Sequence, residues 1–393
     1  MGAQQYFARL ISADSHVYEP RDLWWKALGQ RFGDQTPRLL DTYQGQPGMF
    51  FYTGYQGCPV ARLREHNTRE TEAAAVEAAE RGLDACGYDP AVRVRFQEEA
   101  GLAAEVLNPT TMLSILRNPN GTVVQACAQV FNDWEAEFVS ANPTRLIGVS
   151  VLPLYDVDWA VNELERTLNR GLVTPMIHCQ APEGSPPYRD PSYDRFWAAA
   201  SAARVPVTLH ILTGRVLDPL ILARTGQAPV ERQANAGLWV ELSNEIQAVL
   251  ANDFIFGGIL DRFPTLKIVC SEFELSWVPG LMARLDQIDE LAPRLLLPKL
   301  AMRASDYMRH RVWHGFIDDT AAVASIPYIG ASQVLWGSDF PHTRSIGLDA
   351  QSTLSTRLAS LPRDTQEKIV GGNAAEVFNL HGALLEEASR CRP

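Results

Sequence analysis

The chain has 393 residues, 46% hydrophobic and 21% charged, enough to bury a large core as one barrel-sized domain or two ordinary ones. Its net charge of -11 argues against a nucleic-acid or anionic-membrane partner, and no run approaches the roughly 18 apolar residues of a bilayer span. Six cysteines without a C-x-x-C spacing, and a start at Met1–Leu10 that does not read as a signal segment, point to a soluble cytoplasmic protein acting on a small molecule.

In chain order, the apolar run Leu10–Val17 predicts a buried strand. From Tyr18 to about Glu99 the rhythm breaks. Trp24, Trp25, Gly45, Gly48, Gly54 and Gly57 lie among polar residues, and an Ala/Glu-rich helix is predicted over Thr68–Cys86. Within a single domain spanning 1–393, the stretch 21–99 is expected as an insertion over the mouth of the fold. From residue 100, short apolar runs alternate with helical stretches: Ala103–Pro109, Leu146–Leu154, Leu172–Gln180, Val205–Leu212, Leu266–Phe273, Val312–Asp318 and Val334–Phe340. With the first run these make eight strands, and near-continuous apolar strands between helices imply a parallel sheet covered on both faces. The prediction is α/β, a distorted (β/α)8 TIM barrel, with a doubly wound open sheet as the alternative.

A barrel carries its chemistry where strands end. The first run closes on Asp14-Ser15-His16, and residues i and i+2 of a strand face one side, so both side chains can reach one point. The fifth closes on His210 and the eighth on Gly337-Ser338-Asp339-Phe340-Pro341-His342. Carboxylates and imidazoles are the donors that Zn, Mn or Fe take. Each alone reads equally as a strand-end cap or a satisfied polar group; convergence from three strand ends favours a metal centre.

Asp14-Ser15-His16-Val17-Tyr18-Glu19-Pro20, His210, Leu335–His342 and Gly371–Phe378 together resemble the metal-dependent amidohydrolase superfamily, in the branch around aminocarboxymuconate-semialdehyde decarboxylase. The resemblance implies one metal ion held by Asp14, His16, His210 and Asp339, with zinc favoured and iron or manganese as alternatives, and a homodimer. Binuclear members bridge two metals with a strand-four lysine, but Leu172–Gln180 contains none, so a mononuclear centre is expected. Decarboxylases of this branch carry a catalytic histidine at strand six, where this chain has Cys270-Ser271-Glu272. Two anions would face each other if Glu272 met a substrate carboxylate. The expectation is therefore a hydrolase of an acyl substrate (ester, amide, thioester such as acyl-CoA, or C–C acyl bond) using metal-activated water, with Asp339 and Glu272 catalytic. The alternatives are non-oxidative decarboxylation of an aromatic or unsaturated acid, or an inactive barrel that binds a partner.

Around this core, His178 is assigned a catalytic place, as ligand, substrate contact or supporting histidine. His342, Trp24 and Trp25 are assigned to substrate. Arg62, Arg64 and Arg69 could meet phosphates, and Tyr18 would approach the metal if the strand continued past His16, against which Glu19-Pro20 argues. His310 and His314 read as solvated or packed, and His66 and His381 have no context. No G-x-S-x-G elbow occurs, which disfavours a serine hydrolase.

Overall fold

Eight parallel strands make the centre of the molecule, seen in a computed structural model that describes residues 5–59, 83–213, 244–342 and 345–380. The first is β1 (Leu10–His16). Before the second barrel strand come helix α1 (Leu23–Phe32), an antiparallel sheet of β2 (Arg38–Tyr43), β3 (Gln46–Tyr52) and β4 (Gly57–Pro59), and helix α2 (Pro90–Ala100). The barrel continues with β5 (Leu102–Asn108), helix α3 (Gly121–Ser140), β6 (Leu146–Val151), helix α4 (Val157–Leu168), β7 (Thr174–Ile177) and β8 (Pro206–His210). It ends with β9 (Lys267–Ser271), β10 (Val312–Phe316) and β11 (Val334–Trp336). Spatial order is β1-β5-β6-β7-β8-β9-β10-β11, chain order throughout, as right-handed strand–helix units require. Every strand expected from residue 100 onward is present; β5 is shifted by one residue, and the others are shorter than expected because their terminal residues turn into loops.

Local sequence explains the element ends. Asp89 caps α2 by accepting from the amides of Ala91 and Val92, with Pro90 in the first turn where no amide is needed, and Gly101 stops the helix at φ 70°. Asp156 caps α4 in the same way through Asp158 and Trp159. Barrel strands are buried on both faces, so Val149, Val207, Ile268, Val312 and Leu335 fill the core while helices cover the outside. No helix among the described residues is long and apolar enough to cross a membrane.

The segment between β1 and β5 differs from the irregular run the sequence suggested. In its strand β2 no position is fully buried, so neither face demands an apolar residue at every second place and period-2 patterning is faint. It is tied to the loop after β5 by Asn118 donating to the Thr53 carbonyl at 3.1 Å. Of the helix expected over Thr68–Cys86, residues 68–82 lie outside the described residues, and Leu83–Gly87 form a short 3-10 turn. Arg62, Arg64, His66, Arg69 and His381 also lie outside them.

Among the described residues no ladder joins β1 to β11. The seam is made at the C-terminal ends: the Asp339 amide donates to the Asp14 carbonyl at 2.8 Å, the His16 amide to the Phe340 carbonyl at 2.7 Å, and the Ser338 amide to Ser12 Oγ at 2.8 Å. At Gly337 an added Cβ would lie 2.5 Å from Asp14 Cβ, so only glycine lets the last strand pass this close to the first.

Candidate metal centre

Asp14, His16, His210 and Asp339 are all buried, and their donor atoms face one another across the mouth. His16 Nε2 lies 3.6 Å from Asp14 Oδ1 and 3.3 Å from Asp339 Oδ1; His210 Nε2 lies 3.6 Å from Asp14 Oδ1. Such separations fit neighbouring ligand atoms around an ion with bonds of about 2.1 Å. With His342 these residues form two overlapping groups that share His16: Asp14, His16 and His210 in one, and His16, Asp339 and His342 in the other.

The donor chemistry fits a cation. His16 Nδ1 donates to the Pro109 carbonyl at 2.8 Å and His210 Nδ1 to the Ile211 carbonyl at 2.9 Å, which orients each Nε2 inward. Asn108, closing β5, donates to Asp14 Oδ1 at 2.7 Å. Asp14 Oδ2, His16 Nε2 and His210 Nε2 are buried with no hydrogen-bond partner, a cost an ion would remove.

Electrostatics differ around the ring. Burial, then the neighbouring His342 and His210, push the His16 pKa well below its ordinary value. At His210 burial opposes the proton, but the nearby charge of Asp14 outweighs it and raises the pKa to about 9. Glu272 follows β9, with Oε2 3.6 Å from His210 Nε2, and burial and then Asp339 raise its pKa well above the carboxylate range. Glu272 and Asp339 both hold positive φ, 68° and 55°, a strained backbone that aims their carboxylates at the mouth.

The other assigned residues fall in three places. His342 joins the cluster: Nδ1 is 2.8 Å from Asp339 Oδ1, Nε2 is 3.1 Å from Thr110 Oγ1, and the ring stacks on His16 at 3.9 Å. His178 stands beside His210 in the register that pairs Ile177 with Leu209, but it belongs to neither donor group. It donates from Nε2 to the Leu116 carbonyl at 3.0 Å and lines a cavity of about 300 Å³ with Arg117, Tyr155, Gln180 and Glu183.

Trp24 corrects the sequence assignment. It is 1% exposed, donates its indole N–H to the Cys127 carbonyl at 3.0 Å and packs on Phe51, so it is core. Trp25 is on the outer surface under the Arg38 guanidinium, 4.8 Å from the ring. Tyr18 donates its hydroxyl to the Pro341 carbonyl at 3.1 Å, with its ring 6.3 Å from that of His342. His314 is packed against Trp277, with the ring edge-on at 5.9 Å. Sequence reasoning missed Asn108, Arg93 and Glu105. Asn108 was within reach, since it closes an apolar strand just as His210 does.

Comparison with known proteins agrees with this geometry. The family model described as Amidohydrolase matches residues 68–380. The gamma-resorcylate decarboxylase of Polaromonas sp. (strain JS666) is 26% identical over 297 residues, 74% of this chain and 87% of that one. The 2-amino-3-carboxymuconate-6-semialdehyde decarboxylase of Dictyostelium discoideum is 25% identical over 304 residues, 76% of this chain and 79% of that one. Among solved structures, an amidohydrolase from Mycobacterium avium subsp. paratuberculosis K-10 superposes with a TM-score of 0.73 at 20% identity, covering 96% of this chain and 98% of that one. The 5-carboxyvanillate decarboxylase of Novosphingobium aromaticivorans with bound manganese gives 0.68 at 16%, covering 96% and 97%. With its eight-stranded barrel, the strand-end donors and a family match over most of its length, the chain belongs to the amidohydrolase superfamily.

Proposed function

We propose that the protein is a mononuclear metal-dependent decarboxylase that removes carbon dioxide, without oxidation, from an aromatic or unsaturated carboxylic acid. The observation that carries this reading is the buried donor set on a barrel whose curated relatives, matched over about three quarters of the chain, are decarboxylases. It replaces acyl hydrolysis as the leading reading. Asp14, His16, His210 and Asp339 would hold a single divalent ion, and two imidazoles with two carboxylates suit manganese as well as zinc. When bound, the ion supplies charge stabilisation to the anionic oxygens of the substrate.

The chain's own residues do the rest. Decarboxylation breaks the bond from carbon to carboxylate and puts a proton on that carbon. Glu272, with its pKa raised by burial and Asp339, holds a proton at the mouth and supplies it. In that form it is no second anion facing the substrate, which answers the objection the sequence raised; a bound dication offsets part of the rise. Asp339 is oriented by His342 Nδ1, and His342 by Thr110. His178 and the cavity it lines accommodate the part of the substrate away from the departing carboxylate.

Hydrolysis remains the second reading on one observation: Glu272 occupies the strand-six position, and a carboxylate there also suits a base toward water. The deciding experiment incubates manganese-loaded protein with 2,6-dihydroxybenzoate and 5-carboxyvanillate, and in parallel with aryl esters and thioesters, and follows carbon dioxide release and acid release. Ester or thioester turnover without carbon dioxide from any acid would reverse the assignment.

A further inference from the structure

Arg93 and Glu105 form an ion pair with both side chains at 0% exposure, and neither touches the donor atoms. Arg93, on α2, donates from Nε to Glu105 Oε2 at 2.6 Å and from Nη2 to Oε1 at 2.9 Å. Its other bonds go to backbone: Nη1 to the His16 carbonyl at 2.8 Å and, more loosely, to the Cys86 carbonyl at 3.5 Å, and Nη2 to the Phe340 carbonyl at 3.2 Å. Of these residues His16 is a donor of the centre and Phe340 follows Asp339. The Phe340 ring lies 5.0 Å from the guanidinium and stacks on Phe96 at 3.8 Å.

Glu105 continues the brace. It accepts from Ser15 Oγ at 2.9 Å and from Gln97 Nε2 at 2.9 Å, and the Ser15 hydroxyl meets Ser338 Oγ at 2.7 Å. The pair therefore grips both sides of the seam where β1 meets the end of β11.

Stability alone does not call for such a pair, since well-packed apolar residues commonly replace a buried ion pair with no loss. Geometry does call for it. A planar fork can hold a carboxylate and two carbonyls at fixed angles, which a lysine's point charge cannot.

We propose that Arg93 is a positioning residue for the metal centre: by clamping the His16 and Phe340 carbonyls to Glu105, it sets the distance between first-strand and last-strand donors and so the affinity for the ion. This rests on the metal-binding part of the reading above and not on the reaction.

The test titrates Mn²⁺ into metal-stripped full-length protein by calorimetry, with the Mn²⁺ electron paramagnetic resonance spectrum as second readout. It compares wild type, R93K, and L164A, a core truncation on α4 away from the seam. Removing a support of metal ligands costs about 10–100-fold in affinity, so R93K is expected to bind Mn²⁺ that much more weakly with a changed spectrum, while L164A keeps wild-type affinity. R93K affinity within twofold of wild type, or an equal weakening in L164A, overturns the role. Should R93K not fold, Gln97→Leu removes one bond to Glu105 and is expected to weaken Mn²⁺ binding about fivefold; unchanged affinity overturns the role. Wild-type protein that takes up no Mn²⁺ overturns the metal centre as well, a result distinct from wild-type uptake with an unmoved R93K.

Discussion

Lowering the pH puts a proton on His210 that an incoming cation must displace. Asp14 raises the pKa of this histidine to about 9 in the metal-free protein, against the pull of burial. Below that pH the free protein carries the proton and the metal-bound protein does not, so affinity rises with pH and levels off above it. At pH 7, two units below, the displaced proton weakens binding about 100-fold, or about 2.7 kcal/mol at 1.36 kcal/mol per unit. His16 adds no such cost, because burial, His342 and His210 already keep it neutral. The same His210 proton stabilises the metal-free fold: that contribution is full below the ordinary histidine pKa of 6.5 and is lost as pH rises through about 9. Calorimetric Mn²⁺ titrations at pH 6, 7 and 8, in two buffers of different ionisation heat, are expected to show affinity rising about tenfold per unit and about one proton released per ion. Flat affinity from pH 6 to 8 with no proton released would refute the charge assignment at His210.

Other variants separate the roles. His16→Ala removes the donor shared by both groups, and elemental analysis is expected to find only traces of metal where wild type holds about one ion per chain. Glu272→Gln keeps the ion but is expected to slow carbon dioxide release by about 10²–10⁴; wild-type turnover would mean the proton comes from another group. Trp24→Ala is expected to cost about 3–5 kcal/mol in denaturant unfolding with Mn²⁺ affinity unchanged, as suits a core residue rather than a substrate contact.

How much of this was written in the sequence depended on period and burial. The barrel strands are apolar on both faces, so runs such as Val205–Leu212 stood out without any partner being known, and the residues that close them pointed to His210 and Asp339. The small sheet β2–β4 was hidden because a strand such as Arg38–Tyr43, with no fully buried position, mixes Leu, Asp and Thr with little alternation. Arg93 and Glu105 were beyond reach for another reason. On the page Arg93 is one more charge in a polar stretch and Glu105 a lone carboxylate inside the apolar run Ala103–Pro109 with nothing to name its partner, and only the fold shows that α2 packs over the seam and leaves both without water. Trp24 next to Trp25 shows the same limit: neighbours on a helix face different sides, and nothing in the pair says which one is core.

The barrel seam also has a bearing on biosynthesis. Ser12 and Ser338, hydroxyl partners across it, stand 326 positions apart, and each of the two donor groups needs β1 while Asp339 arrives with the final strand. A nascent polypeptide still emerging from the ribosome thus carries Asp14, His16 and His210 well before Asp339, and the donor group that contains Asp339 can assemble only after the last barrel strand has been made. A product truncated before residue 339 lacks that carboxylate and the seam bond from the Asp339 amide to Asp14, and is expected to hold Mn²⁺ more weakly than the full chain.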